Sequence, residues 1–151
     1  MFNRRTFIIG AAATPFAAVF AGPVRAAEPE VFSENEIAIR GADPVAFFTQ
    51  GTPVLGSADH ALMWRGTMWH FASAQTMEMF TANPEAYAPQ YGGYCAYAAS
   101  QGYVASTVPE AWTVYNGKLY LNNSTGVRRR WLRDIDSYIV AADANWPGIL
   151  A

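Results

Sequence analysis

This chain of 151 residues contains only one cysteine and two histidines, and its net charge is small. Its single cysteine excludes an intramolecular disulfide, although it does not exclude an oxidising compartment. Charged residues make up 15% of the chain and the formal net charge is -2, so the basic excess that nucleic-acid phosphates require is missing. We therefore expect no nucleic-acid partner.

Long hydrophobic runs are missing as well. The most apolar segment follows Arg4 and Arg5, ends at Phe20 and is interrupted by a glycine and a proline. It is shorter than the roughly 20 residues that a membrane-spanning helix needs. The arginine pair directly before Thr-Phe-Ile-Ile indicates a twin-arginine signal peptide over residues 1–26, with an ordinary secretory signal as the alternative. We expect export to the periplasm or the exterior, and no stable membrane span after cleavage.

Packing material, in contrast, is plentiful. Hydrophobic residues account for 52% of the chain and aromatic residues for 15%, and a chain of this length supports one compact core rather than two. We assign residues 27–36 to an exposed leader, 37–147 to the domain and 148–151 to a tail. The sequence contains no internal repeat and no low-complexity segment.

Two hairpins and several short capped helices are predicted along the domain. Arg65-Gly66 indicates a two-residue hairpin loop, and Asn116-Gly117 favours a type I′ turn. Ser73 and Ser124 are each placed to cap a helix. Hairpins with helices between and after them predict an α+β domain, with a small antiparallel sheet built from hairpins and several short helices packed on it.

The first hairpin is predicted to have two chemically different faces, because successive strand residues alternate sides. The face expected to lie in the core carries His60, Leu62, Trp64, Trp69 and Phe71. The opposite face carries Ala61, Met63, Met68 and His70.

Several short motifs together identify a family resemblance. They are Asp43-Pro-Val-Ala-Phe-Phe48, Asn83-Pro-Glu85, Ala88-Pro-Gln-Tyr-Gly-Gly-Tyr-Cys-Ala-Tyr97 and Gly117-Lys-Leu-Tyr-Leu121. Through them the domain resembles the YHS-domain family, specifically its exported single-domain bacterial members. Because YHS domains accompany copper and heavy-metal transporters, the resemblance implies metal handling. Two cysteines of the metal-associated members correspond to Ala72 and Thr76 here, and one cysteine cannot form a tetrahedral sulfur site for zinc.

The metal-site hypothesis that remains is a soft-metal site with Cys95 as its central ligand. Further donors would come from His60, His70, Met63 and Met68, since thiolate, thioether and imidazole suit copper better than magnesium or calcium. The two histidines lie on opposite predicted faces, so we expect one site to hold only one of them. Cys95 is placed in the first turn of a short helix, where the helix dipole would favour a thiolate. The alternative is structural, with methionines that fill core gaps and a cysteine that acts as a small buried hydrophobe.

The sequence predicts a binding protein rather than an enzyme. A cysteine nucleophile needs an adjacent base and an oriented pocket, and the sequence supplies only the base, His60 or His70.

A basic cluster near the C-terminus suggests a second function. It consists of Arg128, Arg129, Arg130 and Arg133. Arginines on the solvent face of an amphipathic helix are common, and the alternative is a docking patch for an acidic protein partner. In that alternative the protein is an interaction module whose Gly-Gly-Tyr-Cys segment is purely structural.

Overall fold

The computed structural model describes residue 18 and residues 21–151. Arg4, Arg5 and most of the predicted signal peptide lie outside the described residues. Over the described residues the fold is α+β, as predicted, with a four-stranded sheet, a two-stranded sheet and short helices packed around them.

The four-stranded sheet is built around the first predicted hairpin. Its strands are β1 (Ser33–Glu34), β2 (Ile37–Ala38), β3 (Ser57–Trp64) and β4 (Thr67–Phe71), in the order β1-β2-β4-β3. The pairs β1–β2 and β3–β4 are antiparallel, whereas β2 meets β4 in parallel where Ile37 lies opposite Met68. The sheet is therefore mixed, with one short parallel contact that the hairpin pattern did not indicate.

The predicted register of this hairpin is confirmed near its loop. Arg65 and Gly66 form the two-residue connection, and Met63 lies opposite Met68. The register then shifts between Ser57 and Ala61. His60 lies in this irregular stretch and has no residue of β4 opposite it, so its assignment to the core face does not follow from the pairing.

The second sheet and the helices complete the domain. The sheet pairs β5 (Val108–Tyr115) with β6 (Lys118–Asn122) through the predicted Asn116-Gly117 turn. The helices are α1 (Ala46–Thr49), α2 (Ala74–Ala82), α3 (Pro84–Tyr87), α4 (Ala96–Ser100), α5 (Thr125–Trp131) and α6 (Ile135–Asn145). Single 3-10 turns occupy Ile39–Gly41, Gln90–Gly93, Leu132–Asp134 and Gly148–Leu150. None of the helices in the described part of the chain is long and apolar enough to cross a membrane.

The core has two parts, on opposite sides of β6. Leu119 and Leu121 pack into a cluster with Trp69, Phe71 and Phe80 of the first hairpin and α2. The intervening Tyr120 faces a second cluster, which contains Tyr91, Trp131 and Ala142. Alternation along one strand thus joins the hairpin layer to the C-terminal helices.

The predicted exposed leader, 27–36, is only partly exposed. Residues 27–30 are exposed, but Val31 is 1% exposed and β1 follows it. The backbone N–H of Phe32 donates a hydrogen bond to the carbonyl oxygen of Gly92 at 2.9 Å. Residues 34–36 are exposed as predicted, but the leader prediction was wrong for residues 31–33, because this segment packs against the Gly92 turn.

Candidate functional site

Cys95 is enclosed at the start of α4. It is the N-cap residue of this helix rather than a member of its first turn, and it is 1% exposed. Its Sγ atom donates to Oδ1 of Asn122 at 3.4 Å and accepts from the backbone N–H of Ala98 at 3.5 Å. The thiol therefore has a structural role that joins β6 to α4.

The pKa of the Cys95 thiol is raised above its ordinary value. The main cause is burial, which penalises the charged thiolate. Backbone N–H groups, including that of Ala98, act in the opposite direction and are outweighed. The backbone N–H groups at the start of α4 do favour a thiolate, as predicted, but burial outweighs them and the net direction is the opposite. A buried, protonated thiol is a poor metal ligand and a poor nucleophile.

Three of the five predicted ligands do lie together, on the side of the first hairpin that faces away from the core. Met63 lies directly opposite Met68, and His70 follows on the same face two residues beyond Met68. Directly opposed side chains of an antiparallel pair have Cβ atoms about 4.5–5.5 Å apart. Met63 is 59% exposed, and the other two side chains are half-buried. We call Met63, Met68 and His70 the outer hairpin face.

The imidazole of His70 lies beside the backbone of the preceding 3-10 turn. A Cβ atom added to Gly41 would lie 3.8 Å from Nδ1 of His70 and 3.7 Å from Cδ1 of Leu55. Leu55 is 76% exposed. In the described part of the chain neither ring nitrogen of His70 makes a hydrogen bond.

The structure does not gather all five predicted ligands. His60 lies in the irregular part of β3, and Cys95 is bonded to Asn122 in the interior. Among residue 18 and residues 21–151, no three histidine, cysteine, aspartate or glutamate side chains converge as a metal site would require. Of the five predicted ligands, Met63, Met68 and His70 are the ones that share one face.

A polar cleft beside the Gly92 turn is a feature that sequence reasoning missed. It has a volume of about 300 Å³ and is lined by Arg65, Glu85, Tyr91, Asp143 and Trp146, among others. The hydroxyl of Tyr91 donates to Oδ1 of Asp143 at 2.8 Å, across 52 residues of sequence. The tyrosine before Gly92-Gly93 was the available signal, but nothing local indicated its distant partner.

Tyr91 has an unusual backbone conformation. Its φ is +57°, in the left-handed region that a bulky residue rarely adopts. Burial first, and then the hydrogen bond to Asp143, raise the pKa of the Tyr91 hydroxyl far above its ordinary value. The Tyr91 hydroxyl therefore donates to Asp143 and holds one oxygen of its carboxylate in place.

The predicted basic cluster divides into two pairs. Nε of Arg128 donates to Oγ1 of Thr113 at 2.9 Å, and the guanidinium of Arg130 lies 5.7 Å from the ring centre of Tyr97. Arg129, Arg130 and Arg133 are exposed, and of these three Arg130 is the one that lies beside an aromatic ring in the described residues. In the described residues none of the four arginines forms an ion pair.

The described residues thus offer the outer hairpin face, the polar cleft and the exposed arginine pair. The function has to be inferred from their chemistry. No protein-family model, curated protein or solved structure matches this chain.

Proposed function

We propose that this chain is an exported YHS-type protein that binds a soft metal ion, copper(I) in particular, on its outer hairpin face. The family and the export route rest on the sequence motifs and on Arg4-Arg5. The observation that carries the metal proposal is the register that sets Met63 opposite Met68 with His70 on the same side. Two thioethers and one imidazole form a soft donor set that suits copper(I) and is unsuitable for magnesium or calcium.

The exposure of Met63 supports a ligand role over a packing role for this side chain. A methionine that fills a core gap is enclosed by its neighbours. Met77 and Met79 are of this kind, since they pack against the hairpin cluster. Met63 is 59% exposed and stands outside that cluster, so its thioether is accessible to an ion.

This set of donors, two thioethers and one imidazole, replaces the set centred on Cys95 that the sequence predicted. The Cys95 thiol is buried and bonded to Asn122, and burial raises its pKa. Recruiting it would expose a core residue and break the link between β6 and α4. The methionines and His70 require no such rearrangement.

Copper(I) titration tests this proposal. With a competing chromogenic chelator, the purified protein is expected to bind one copper(I) ion per chain. The double variant Met63→Leu, Met68→Leu keeps side-chain volume but removes both thioethers, and it is expected to bind at least about tenfold more weakly. The matched control Met77→Leu, Met79→Leu should bind like the wild type.

Two further variants separate this site from the one centred on cysteine. His70→Asn is expected to weaken binding, whereas Cys95→Ala should leave the affinity unchanged within about twofold. Loss of binding in Cys95→Ala, with binding retained in the methionine double variant, would contradict the proposed ligand set. Absence of copper(I) binding by the wild-type protein would refute the metal function.

The alternative function is an interaction module that docks an acidic protein through Arg129 and Arg133. It is supported by the exposure of these two guanidinium groups and by the absence of an ion pair to either one in the described residues. Charges that are not neutralised within the protein increase the association rate of partners of opposite charge.

Charge reversal tests the docking patch. Arg129→Glu and Arg133→Glu are each expected to lower the recovery of cross-linked partners by at least about threefold, because like charges then face each other. Lys118→Glu makes the same charge change on the exposed β5–β6 turn and serves as the control. Identical partner recovery from all four proteins would exclude this patch.

A further inference from the structure

The polar cleft beside the Gly92 turn has the form of a second, independent binding site. Its volume of about 300 Å³ is at the lower end of the range of small-molecule sites. The Gly92 turn lines one side of the cleft, and Asp143 and Trp146 from the end of α6 line another. A ligand of only a few heavy atoms fits such a space.

The charged side chains that line the cleft are Arg65, Glu85 and Asp143, so carboxylates outnumber cations by one. Arg65 forms ion pairs with Glu85 and, at 3.4 Å, with Glu30, and its guanidinium lies 4.4 Å from the ring centre of Trp64. Glu85 and Glu30, of which Glu30 does not line the cleft, neutralise this guanidinium, and Asp143 forms no ion pair within the described residues. An anionic ligand would have to displace these ion pairs, whereas a cationic ligand would relieve the excess charge.

Asp143 retains capacity to accept hydrogen bonds. Its Oδ1 atom accepts from the Tyr91 hydroxyl at 2.8 Å. Among the described residues its Oδ2 atom accepts no hydrogen bond. The tyrosine thus holds one oxygen in place and leaves the other for a ligand.

Aromatic rings complete the lining. Trp146 is half-buried, and its ring centre lies 6.0 Å from that of Tyr91, with the two planes at 65°. Tryptophan is the strongest of the aromatic residues in binding cations through its ring face. A carboxylate beside an indole is a combination that recognises ammonium groups with apolar substituents.

We propose that this cleft binds a small organic cation of the alkylammonium class. Asp143 supplies the counter-charge, Trp146 supplies the aromatic wall and Tyr91 acts as a positioning residue for Asp143. The site shares no residue with the outer hairpin face, so it does not depend on the metal proposal.

Calorimetric titration of the full chain with choline tests this inference. Choline is compared with its neutral carbon analogue 3,3-dimethyl-1-butanol and with acetate. We expect choline to bind at least about tenfold more tightly than either compound, because only choline carries a positive charge of the right size. Binding of choline should also shift the NMR signal of the Trp146 indole N–H, assigned through Trp146→Phe.

A matched pair of carboxylate variants locates the site. Asp143→Asn is expected to weaken choline binding at least about tenfold while it keeps an acceptor for Tyr91. Asp136→Asn is the control, because Asp136 also accepts from a tyrosine, Tyr115 at 2.7 Å, but does not line this cleft. Equal binding of choline and its neutral analogue, tighter binding of acetate, no binding of choline, or full affinity in Asp143→Asn would each overturn the proposal.

Discussion

Replacing Gly92 by alanine is expected to lower the free energy of unfolding by about 3 kcal/mol or more. The φ of Gly92 is +62°, and an added Cβ would overlap the carbonyl oxygen of Glu30 and lie 3.0 Å from its carbonyl carbon. Backbone cannot rotate away as a flexible side chain can. To remove this overlap, the segment that contains Glu30 and the buried Val31 must move, and the hydrogen bond from Phe32 N–H to the Gly92 carbonyl must break. Urea denaturation followed by tryptophan fluorescence measures the loss.

Gly66→Ala is the matched control for this prediction. Gly66 also has a positive φ, +72°, but an added Cβ would meet nothing within 4 Å. Only the cost of holding alanine in the left-handed backbone conformation remains, and it is about 1 kcal/mol. If both variants lost the same stability, the close approach of Glu30 would have no energetic importance and left-handed strain alone would explain Gly92.

Local features of this fold were predictable from the sequence because a few neighbouring residues determine them. The two-residue loop at Arg65-Gly66 sets the register of its hairpin, and that register alone places Met63 and Met68 side by side. Ser73 accepts from Thr76 N–H at 3.2 Å as a helix cap, since the free N–H groups at a helix start require a nearby acceptor.

Contacts between distant residues were not predictable in this way. A pair of glycines indicates that another group approaches closely, but it does not identify the group, which at Gly92 is the backbone of Glu30. The hydrogen bond from Tyr91 to Asp143 likewise joins positions 52 residues apart. Both depend on how the N-terminal segment and α6 pack, which no local pattern encodes.

The candidate metal site likewise has a part that local sequence predicts and a part that depends on distant residues. Periodicity along β3 and β4 was sufficient to place Met63, Met68 and His70 on one face. The environment of Cys95 depends on Asn122, which reaches it from β6, 27 residues further along the chain. The sequence alone therefore placed the soft donors of the hairpin on one face, but it did not indicate that burial raises the pKa of the Cys95 thiol.

Asp43 is the residue whose loss we expect to be most damaging among the polar side chains. It is fully buried, and its carboxylate joins the start of α1 to the junction of β4 and α2. It accepts from the backbone N–H of Val45 at 2.9 Å, from the backbone N–H of Ala72 at 2.9 Å and from the hydroxyl of Thr76 at 2.6 Å. Asp43→Ala removes the acceptor of all three donors, leaves the buried N–H of Val45 without a partner and leaves the Thr76 hydroxyl only its contacts with Ser73, and we expect it to cost about 3–5 kcal/mol of stability.

A graded series on α2 tests whether these hydrogen bonds, rather than side-chain volume, carry the effect. Thr76→Val removes one of the three donors and is expected to cost about 1–2 kcal/mol. Thr81→Val makes the same change on the exposed side of the helix, where the hydroxyl donates to the Met77 carbonyl, and should cost less than about 0.5 kcal/mol. Because Thr76 acts through the carboxylate, its substitution should cost little in a protein that already carries Asp43→Ala. Full additivity of Asp43→Ala and Thr76→Val in urea denaturation would show that the two side chains do not stabilise the fold as one network.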